Sequence, residues 1–139
     1  MPPVLTSYLF FDGTCAEAMR FYERSLGGVL SPMRTYASAP VAQTQPSGMA
    51  DRIMHAHLEL NGQVIMASDS MIGEPYAGMH GFNLHLGYPT ASEAERIFAV
   101  LAAGGQVRMR IQKTFWAEAF GMLVDRFGTP WMVSGDQPG

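Results

Sequence analysis

The sequence has a single cysteine, Cys15, among its 139 residues. One cysteine excludes an intrachain disulfide framework and a cysteine-rich zinc site, and it is typical of proteins kept in a reducing compartment. The chain also lacks an apolar run long enough to span a bilayer, and its opening MPPVLTSYLF lacks the basic residues that begin a secretory signal. We therefore expect a cytoplasmic protein with no membrane partner.

Charged residues are scarce as well, at 15% of the chain, and nine Lys and Arg against twelve Asp and Glu give a formal charge of -3. No basic run or patch is visible, which argues against nucleic acid as a partner. With 47% hydrophobic residues, a chain of this length can bury a core of its own. A single domain covering residues 1–139 is expected.

Two stretches of the sequence occur twice, which indicates an internal repeat. The first pair is SYLFFDGTCAEAMRFYERSLGG at 7–28 and NLHLGYPTASEAERIFAVLAAGG at 83–105. The second pair is HLELNGQVIMASD at 57–69 and LVDRFGTPWMVSGD at 123–136. The domain is therefore expected to contain two copies of one unit, which cover about 4–69 and 81–136 and are joined by a linker at 70–80.

Both copies carry the same order of local signals. Thr14 and Thr90 are each followed three residues later by glutamate, a capping pattern that starts a helix, and a Gly-Gly pair ends each helix. Asn61-Gly62 is typical of a hairpin turn, and Tyr88-Pro89 predicts a turn before the second helix, 91–103. The predicted strands are 4–11, 29–37, 53–60 and 64–68 in the first copy and 82–87, 106–112, 119–126 and 130–135 in the second.

Each copy is thus predicted to be a β-α-β-β-β unit of the α+β class. One helix covers one face of such a sheet, so the other face must be buried by its twin or close around a ligand. Two half-covered sheets also need a partner surface, which favours a homodimer. The first copy is longer because of ASAPVAQTQPSGMAD at 37–51, which is predicted to be a mobile loop.

Three blocks of sequence, together with the repeated unit, resemble a known family. They are SYLFFDGTCAEAMRFYERSLGG (7–28), MHAHLELNGQVIMASD (54–69) and KTFWAEAFGMLVDRFGTPWMVS (113–134). They look like the PhnB-like branch of the vicinal oxygen chelate superfamily, which includes glyoxalase I, bleomycin-resistance proteins and extradiol dioxygenases. The resemblance implies a glyoxalase/bleomycin-resistance-type fold with curved mixed sheets, often completed by a second chain. It also implies a small-molecule site in a cup between those sheets.

Metal-using members of the superfamily draw their ligands, typically His, Gln or Glu, from the first and last strands of both units. Carried onto this chain, the positions are Thr6 or Ser7, Met66 or Ala67, Phe82 or Asn83, and Met132 or Val133. None is His, Gln or Glu, and thioethers are poor ligands for the divalent ions concerned. The resemblance therefore implies that the usual metal site is absent and that Met66 and Met132 line a pocket.

The stretch HAHLEL at 55–60 is the main candidate for a polar site. His55, His57 and Glu59 alternate, so a β-strand places them on one face. The two histidines would either line a pocket or solvent-exposed face, or join His85 of the fifth predicted strand in an atypical divalent-metal site.

Comparison of the two copies suggests different roles for His57 and Glu59. Setting Gly62 on Gly128 places His57 on Leu123 and Glu59 on Asp125. Because the acid recurs and the histidine does not, His57 is expected to be functional. Glu59 is expected to be structural or solvated.

Further candidates lie in the second copy. Trp116 and Phe120 would wall a pocket for an apolar or planar ligand, with Lys113 or Arg110 meeting an anionic group. In the alternative interpretation Trp116 belongs to the core at a strand end and Lys113 is solvated.

Three other residues have competing interpretations. Asn83 and His85 are candidates for the pocket wall, although His85 is also typical of a partly buried histidine satisfied by a hydrogen bond. Cys15 lies near a helix start that would lower its pKa, yet a small buried hydrophobe is the interpretation we favour.

The expected function is binding of an unidentified small molecule in the cup, with any catalytic activity left open. One alternative is a metal-dependent lyase, isomerase or dioxygenase that uses His55, His57 and His85 to polarise a carbonyl. Another is a resistance protein that acts by sequestering its ligand. A methyltransferase is not favoured, because no glycine-rich cofactor loop opens either helix.

Overall fold

The computed structural model describes residues 2–39 and 45–139. The chain divides into two compact units, Met1–Gly78 and Met79–Gly139. Each unit has one α-helix and one open, curved, mixed sheet, so the predicted α+β fold of tandem βαβββ modules is confirmed. That the two units form a single domain stays a prediction. Part of the loop predicted at 37–51 lies outside the described residues.

The first unit consists of one helix and one sheet, with strands before and after the helix in the chain. Its elements are β1 (Ser7–Phe11), α1 (Cys15–Leu26), β2 (Val29–Leu30), β3 (Arg34–Thr35), β4 (Ile53–Leu60) and β5 (Gln63–Asp69), with a 3-10 turn at Tyr36–Ser38. The strand order is β1-β5-β4-β2, and β3 pairs with β4 beyond β2. β1 runs parallel to β5, whereas β4 is antiparallel to its neighbours.

The second unit repeats this arrangement. Its elements are β6 (Leu84–Thr90), α2 (Ala91–Ala102), β7 (Gln106–Gln112), β8 (Ala119–Val124) and β9 (Pro130–Gln137), in the strand order β6-β9-β8-β7. Each helix has 12 residues, a length of about 18 Å. Among the described residues, no helix is long and apolar enough to cross a membrane.

The start of α1 is fixed by a distant side chain. Thr14 makes no side-chain capping hydrogen bond, so the predicted capping box is wrong. Instead Asp69 Oδ1 accepts hydrogen bonds from the backbone N–H of Gly13 (2.8 Å) and Cys15 (3.0 Å), and its Oδ2 accepts from Ile53 N (2.9 Å). This buried carboxylate therefore ties the end of β5 to the starts of α1 and β4.

The start of α2 is capped by Thr90, as the sequence predicts. Thr90 Oγ1 accepts from the backbone N–H of Glu93, which confirms the cap. The predicted turn at Tyr88-Pro89 is wrong, because both residues lie inside β6. Pro89 is tolerated there since β6 is an edge strand, where a missing N–H leaves no ladder bond unmade. In the first unit Asp69 pairs with Phe11, and in the second unit Gly135 pairs with Tyr88. The second unit therefore has a glycine at the position where the first unit has the carboxylate of Asp69.

The second glycine of each Gly-Gly pair shows how the two copies superimpose. A Cβ at Gly28 would collide with the carbonyl oxygen of Glu59, and one at Gly105 would collide with that of Val124. Glu59 therefore corresponds to Val124, and the sequence alignment that set it on Asp125 is wrong by one residue. The cause is the hairpin loop, which has two residues in the first unit (61–62) and three in the second (126–128).

The strand pairing gives the same correction for the histidine. His57 pairs with Met66, and the equivalent pair in the second sheet is Met122 with Met132. His57 thus corresponds to Met122 instead of Leu123. The histidine is still particular to the first unit, whereas the acid does not recur.

Candidate functional site

The strand predicted at 29–37 is interrupted in the structure. β2 ends at Leu30 and β3 begins at Arg34, so residues 31–33 leave the ladder. Ser31 N still donates to the carbonyl of His57 (3.0 Å), but Pro32 has no N–H to offer. The chain returns to β4 where Arg34 pairs with His55. This detour opens a cleft beside β4.

The cleft has a volume of about 500 Å³ and lies within the first unit. It is lined by Ser31, Pro32, Met33, Arg34, His55 and His57. Ala56 and Leu58 alternate with the histidines along β4 and are buried toward α1. The histidines therefore occupy the face of the sheet that the helix leaves uncovered.

His57 has an unsatisfied polar atom. Its Nδ1 is buried and makes no hydrogen bond with any residue in the described part of the chain. A buried nitrogen without a hydrogen bond lowers the stability of the folded protein by about 1–3 kcal/mol, so such atoms normally have a partner. Because the atom itself has almost no exposed surface, a molecule in the neighbouring cleft does not reach it in this structure.

His55 is held by an aromatic neighbour. Its Nδ1 lies 3.3 Å from the hydroxyl of Tyr8, and the two rings are tilted with their centroids 6.0 Å apart. Tyr8 also packs against Phe10, with ring centroids 5.3 Å apart, although both side chains are exposed. Met66 pairs with Tyr8 on one side and His57 on the other, so it lies between them on the same face. Thus His55, His57 and Met66 are brought together.

Arg34 is the one cation among the residues that line the cleft. Its side chain is exposed and makes no ion pair or hydrogen bond with the other described residues. Arg52 in the same unit differs, since it binds Asp12 and the carbonyl of Ser70. The lining contains no Asp or Glu, so the cleft has a positive local charge.

The second-unit candidates lie on the helix-free face of their own sheet. His85 is exposed, and its Nε2 lies 2.8 Å from Ser134 Oγ, so this histidine is satisfied by a hydrogen bond. Asn83 is exposed and immediately precedes β6. Phe120 alternates with Gly121, whose Cβ would meet Phe98 of α2, so Phe120 points away from the helix.

Trp116 is not a core residue. It is 56% exposed, so the interpretation that placed it in the core is wrong, and a pocket around it stays a prediction. Its ring packs edge-on against buried Phe120 at 5.3 Å and against exposed Phe115 at 4.7 Å. Lys113 lies 3.6 Å from a carboxylate oxygen of Glu118 and is largely solvated.

Burial removes Cys15 from the candidate nucleophiles. The thiol is fully buried at the first residue of α1. Burial, with a smaller contribution from the nearby carboxylate of Asp69, raises the pKa of Cys15 from 9.0 to about 12. The predicted helix-start lowering of this pKa is therefore outweighed, and the small-hydrophobe interpretation is favoured.

We expect Cys15 to resist thiol reagents at pH 8 in the folded protein and to react at once in denaturant. Because the folded pKa lies above the unfolded one, stability is fully present below about pH 9 and falls as the pH rises from 9 toward 12. Rates of reaction with a chromogenic disulfide, with and without urea, measure this. Equal rates in both conditions would contradict the burial of the thiol.

The donor set does not fit a metal ion at the positions used by the superfamily. Ser7, Ala67, Phe82 and Val133 supply no imidazole or carboxylate, and Met66 and Met132 supply thioethers. In residues 2–39 and 45–139 no group of three or more His, Cys, Asp or Glu side chains could hold a metal.

Sequence reasoning missed four of the six lining residues, Ser31, Pro32, Met33 and Arg34. The available signal was Pro32 itself, because a proline inside a predicted strand marks an edge or an interruption. Tyr8 was also missed as the hydrogen-bond partner of His55. The sequence placed Tyr8 in the predicted strand 4–11 and gave no sign of a partner for it.

The chain matches the family model described as 3-demethylubiquinone-9 3-methyltransferase over residues 3–134. Protein YjdN of Escherichia coli is 38% identical over 138 residues, which cover 94% of this chain and 93% of that protein. Among solved structures, protein PA1353 of Pseudomonas aeruginosa is 41% identical with a TM-score of 0.90, covering 98% of this chain and 99% of that one.

Two further structures place the fold. A PhnB protein from Bacillus cereus is 25% identical with a TM-score of 0.80, covering 99% of this chain and 100% of that one. The fosfomycin resistance protein FosX of Listeria monocytogenes is 8% identical with a TM-score of 0.64, covering 99% and 94% of the two chains. At that identity the likeness to FosX shows the fold alone.

Proposed function

Because the chain belongs to the family of the 3-demethylubiquinone-9 3-methyltransferase model, the PhnB-like branch of the glyoxalase superfamily, we propose that it binds a small organic molecule in the cleft of its first unit. The observation that carries this proposal is the cleft of about 500 Å³ on the helix-free face of the first sheet, where His55, His57 and Arg34 lie together. Polar atoms of a ligand would bind these side chains, and Met33 and Pro32 would contact its apolar part.

Binding alone is the proposed activity. Among the lining residues no hydroxyl or thiol is hydrogen-bonded to a histidine, since Ser31 meets His57 through backbone atoms. The hydroxyl beside His55 is the phenol of Tyr8, which orients the imidazole at 3.3 Å. Sequestration of a ligand, the resistance hypothesis, needs nothing beyond binding. The methyltransferase description belongs to the family model, and the sequence supplies no glycine-rich cofactor loop to support that activity here.

We also propose that the protein is a cytoplasmic homodimer, as the sequence predicts. The support is exposed apolar surface on the second unit. Phe115 is 96% exposed, and Val107 and Met109 are exposed along β7. β7 is an edge strand, and such strands usually avoid aggregation by being covered.

We expect fragment-sized molecules to bind wild type and to lose affinity when Met33→Trp fills the cleft. The measurement is the change in NMR chemical shift of the backbone amides of isotope-labelled, full-length protein as each fragment is titrated. Met71→Trp is the matched control, because Met71 is exposed and outside the cleft. Fragments that bind Met33→Trp as tightly as wild type would contradict the proposal, as would a library in which none binds wild type.

A further inference from the structure

The charge at the cleft indicates which class of ligand it takes, and this inference rests on the function proposed above. The guanidinium of Arg34 lacks a partner in the described part of the chain. A guanidinium has hydrogen-bond donors only. The group missing beside Arg34 is therefore an acceptor.

Nearby acids do not supply that acceptor. The residues lining the cleft include neither Asp nor Glu. On β4, Glu59 follows His57 on the same face, but it is exposed and pairs with Val29, away from Arg34. Asp12 is engaged by Arg52 at 3.0 Å, and Asp69 is buried on backbone N–H groups of the helix-covered side.

The position of Arg34 suits recognition of a ligand. The register of β3 places Arg34 directly opposite His55, whose Nδ1 already has the Tyr8 hydroxyl as its neighbour at 3.3 Å. His55 is thereby oriented, while Arg34 keeps its planar fork of donors free. Such a fork matches the two oxygens of a carboxylate or phosphate.

We propose that the cleft recognises an oxyanion, the carboxylate or phosphate of a small organic acid, through Arg34. Arg34 holds the anionic group by paired N–H···O hydrogen bonds beside the imidazole rings of His55 and His57. Met33 and Pro32 pack against the apolar body of the acid. Neutral molecules of the same shape bind the same cleft more weakly.

Matched acid and amide pairs test this inference. Benzoate with benzamide, and acetate with acetamide, are titrated into full-length protein, with inorganic phosphate as a third arm. Each acid is expected to bind about tenfold or more tightly than its amide, since charged hydrogen bonds exceed neutral ones. Comparison of phosphate with the carboxylates tells which oxyanion is preferred.

Two variants locate the effect. Arg34→Gln is expected to abolish the preference for the acid, and Arg34→Lys to restore part of it. Arg20→Gln removes an exposed charge from α1 and is expected to change nothing. Equal affinity for acid and amide in wild type would overturn the inference while leaving small-molecule binding intact. Equal losses in Arg34→Gln and Arg20→Gln would also overturn it, because they would show a general charge effect.

Discussion

Asp69→Ala is expected to lower the free energy of unfolding by about 3–5 kcal/mol. Asp69 is 2% exposed, and its two oxygens accept three backbone hydrogen bonds, from Gly13, Cys15 and Ile53. Alanine would leave buried N–H groups unpaired at the starts of α1 and β4. Urea unfolding followed by circular dichroism measures the change.

The variant Asp69→Asn tests how much of the loss of stability is due to the charge of the side chain and how much to its shape. Asparagine keeps the volume and one acceptor oxygen, so we expect an intermediate loss of about 1–3 kcal/mol. Asp136→Ala is the matched control, because Asp136 is exposed, and its midpoint should equal that of wild type. An Asp69→Ala midpoint that matched the Asp136→Ala midpoint would show that the carboxylate does not organise the first unit.

Asp125→Ala is expected to destabilise the protein by about 3–4 kcal/mol, whereas Glu59→Ala should change stability by less than about 0.5 kcal/mol. Asp125 is 3% exposed and accepts from Phe127 N, Thr129 N and the indole Nε1 of Trp131. Glu59 is exposed on β4. The buried indole of Trp131 makes fluorescence during urea unfolding a direct measurement.

The pair of variants also tests the superposition of the two units. If Glu59 corresponded to Asp125, as the sequence alignment suggested, the two substitutions would have similar costs. The strand register instead sets Glu59 on Val124. A loss for Glu59→Ala as large as that for Asp125→Ala would contradict this register.

Most elements of the fold could be predicted because they are encoded locally. The helices follow helical periodicity and end at or just before Gly-Gly pairs, and the hairpin at Asn61-Gly62 follows its turn residues. The carboxylate that caps α1 could not be predicted, because it comes from the end of β5, far away in the sequence. The extra residue in the second hairpin loop was missed because aligning the two copies on one glycine fixes only one side of the hairpin.

Only the two histidines among the six lining residues of the cleft could be predicted from the sequence. His55 and His57 could be placed on one face because alternation in a strand is strict. Arg34 could not, since a single arginine in a predicted strand has no special pattern. Its position follows from the detour at Pro32 and the return to β4 opposite His55, which are properties of the pairing and not of local sequence.

A crystal structure of the full chain soaked with small organic molecules tests most directly whether the first-unit cleft is the ligand site. The account predicts density for the molecule in the cleft, in contact with Met33 and His57. Density for every such molecule at other surfaces, with only solvent beside His57, would contradict it.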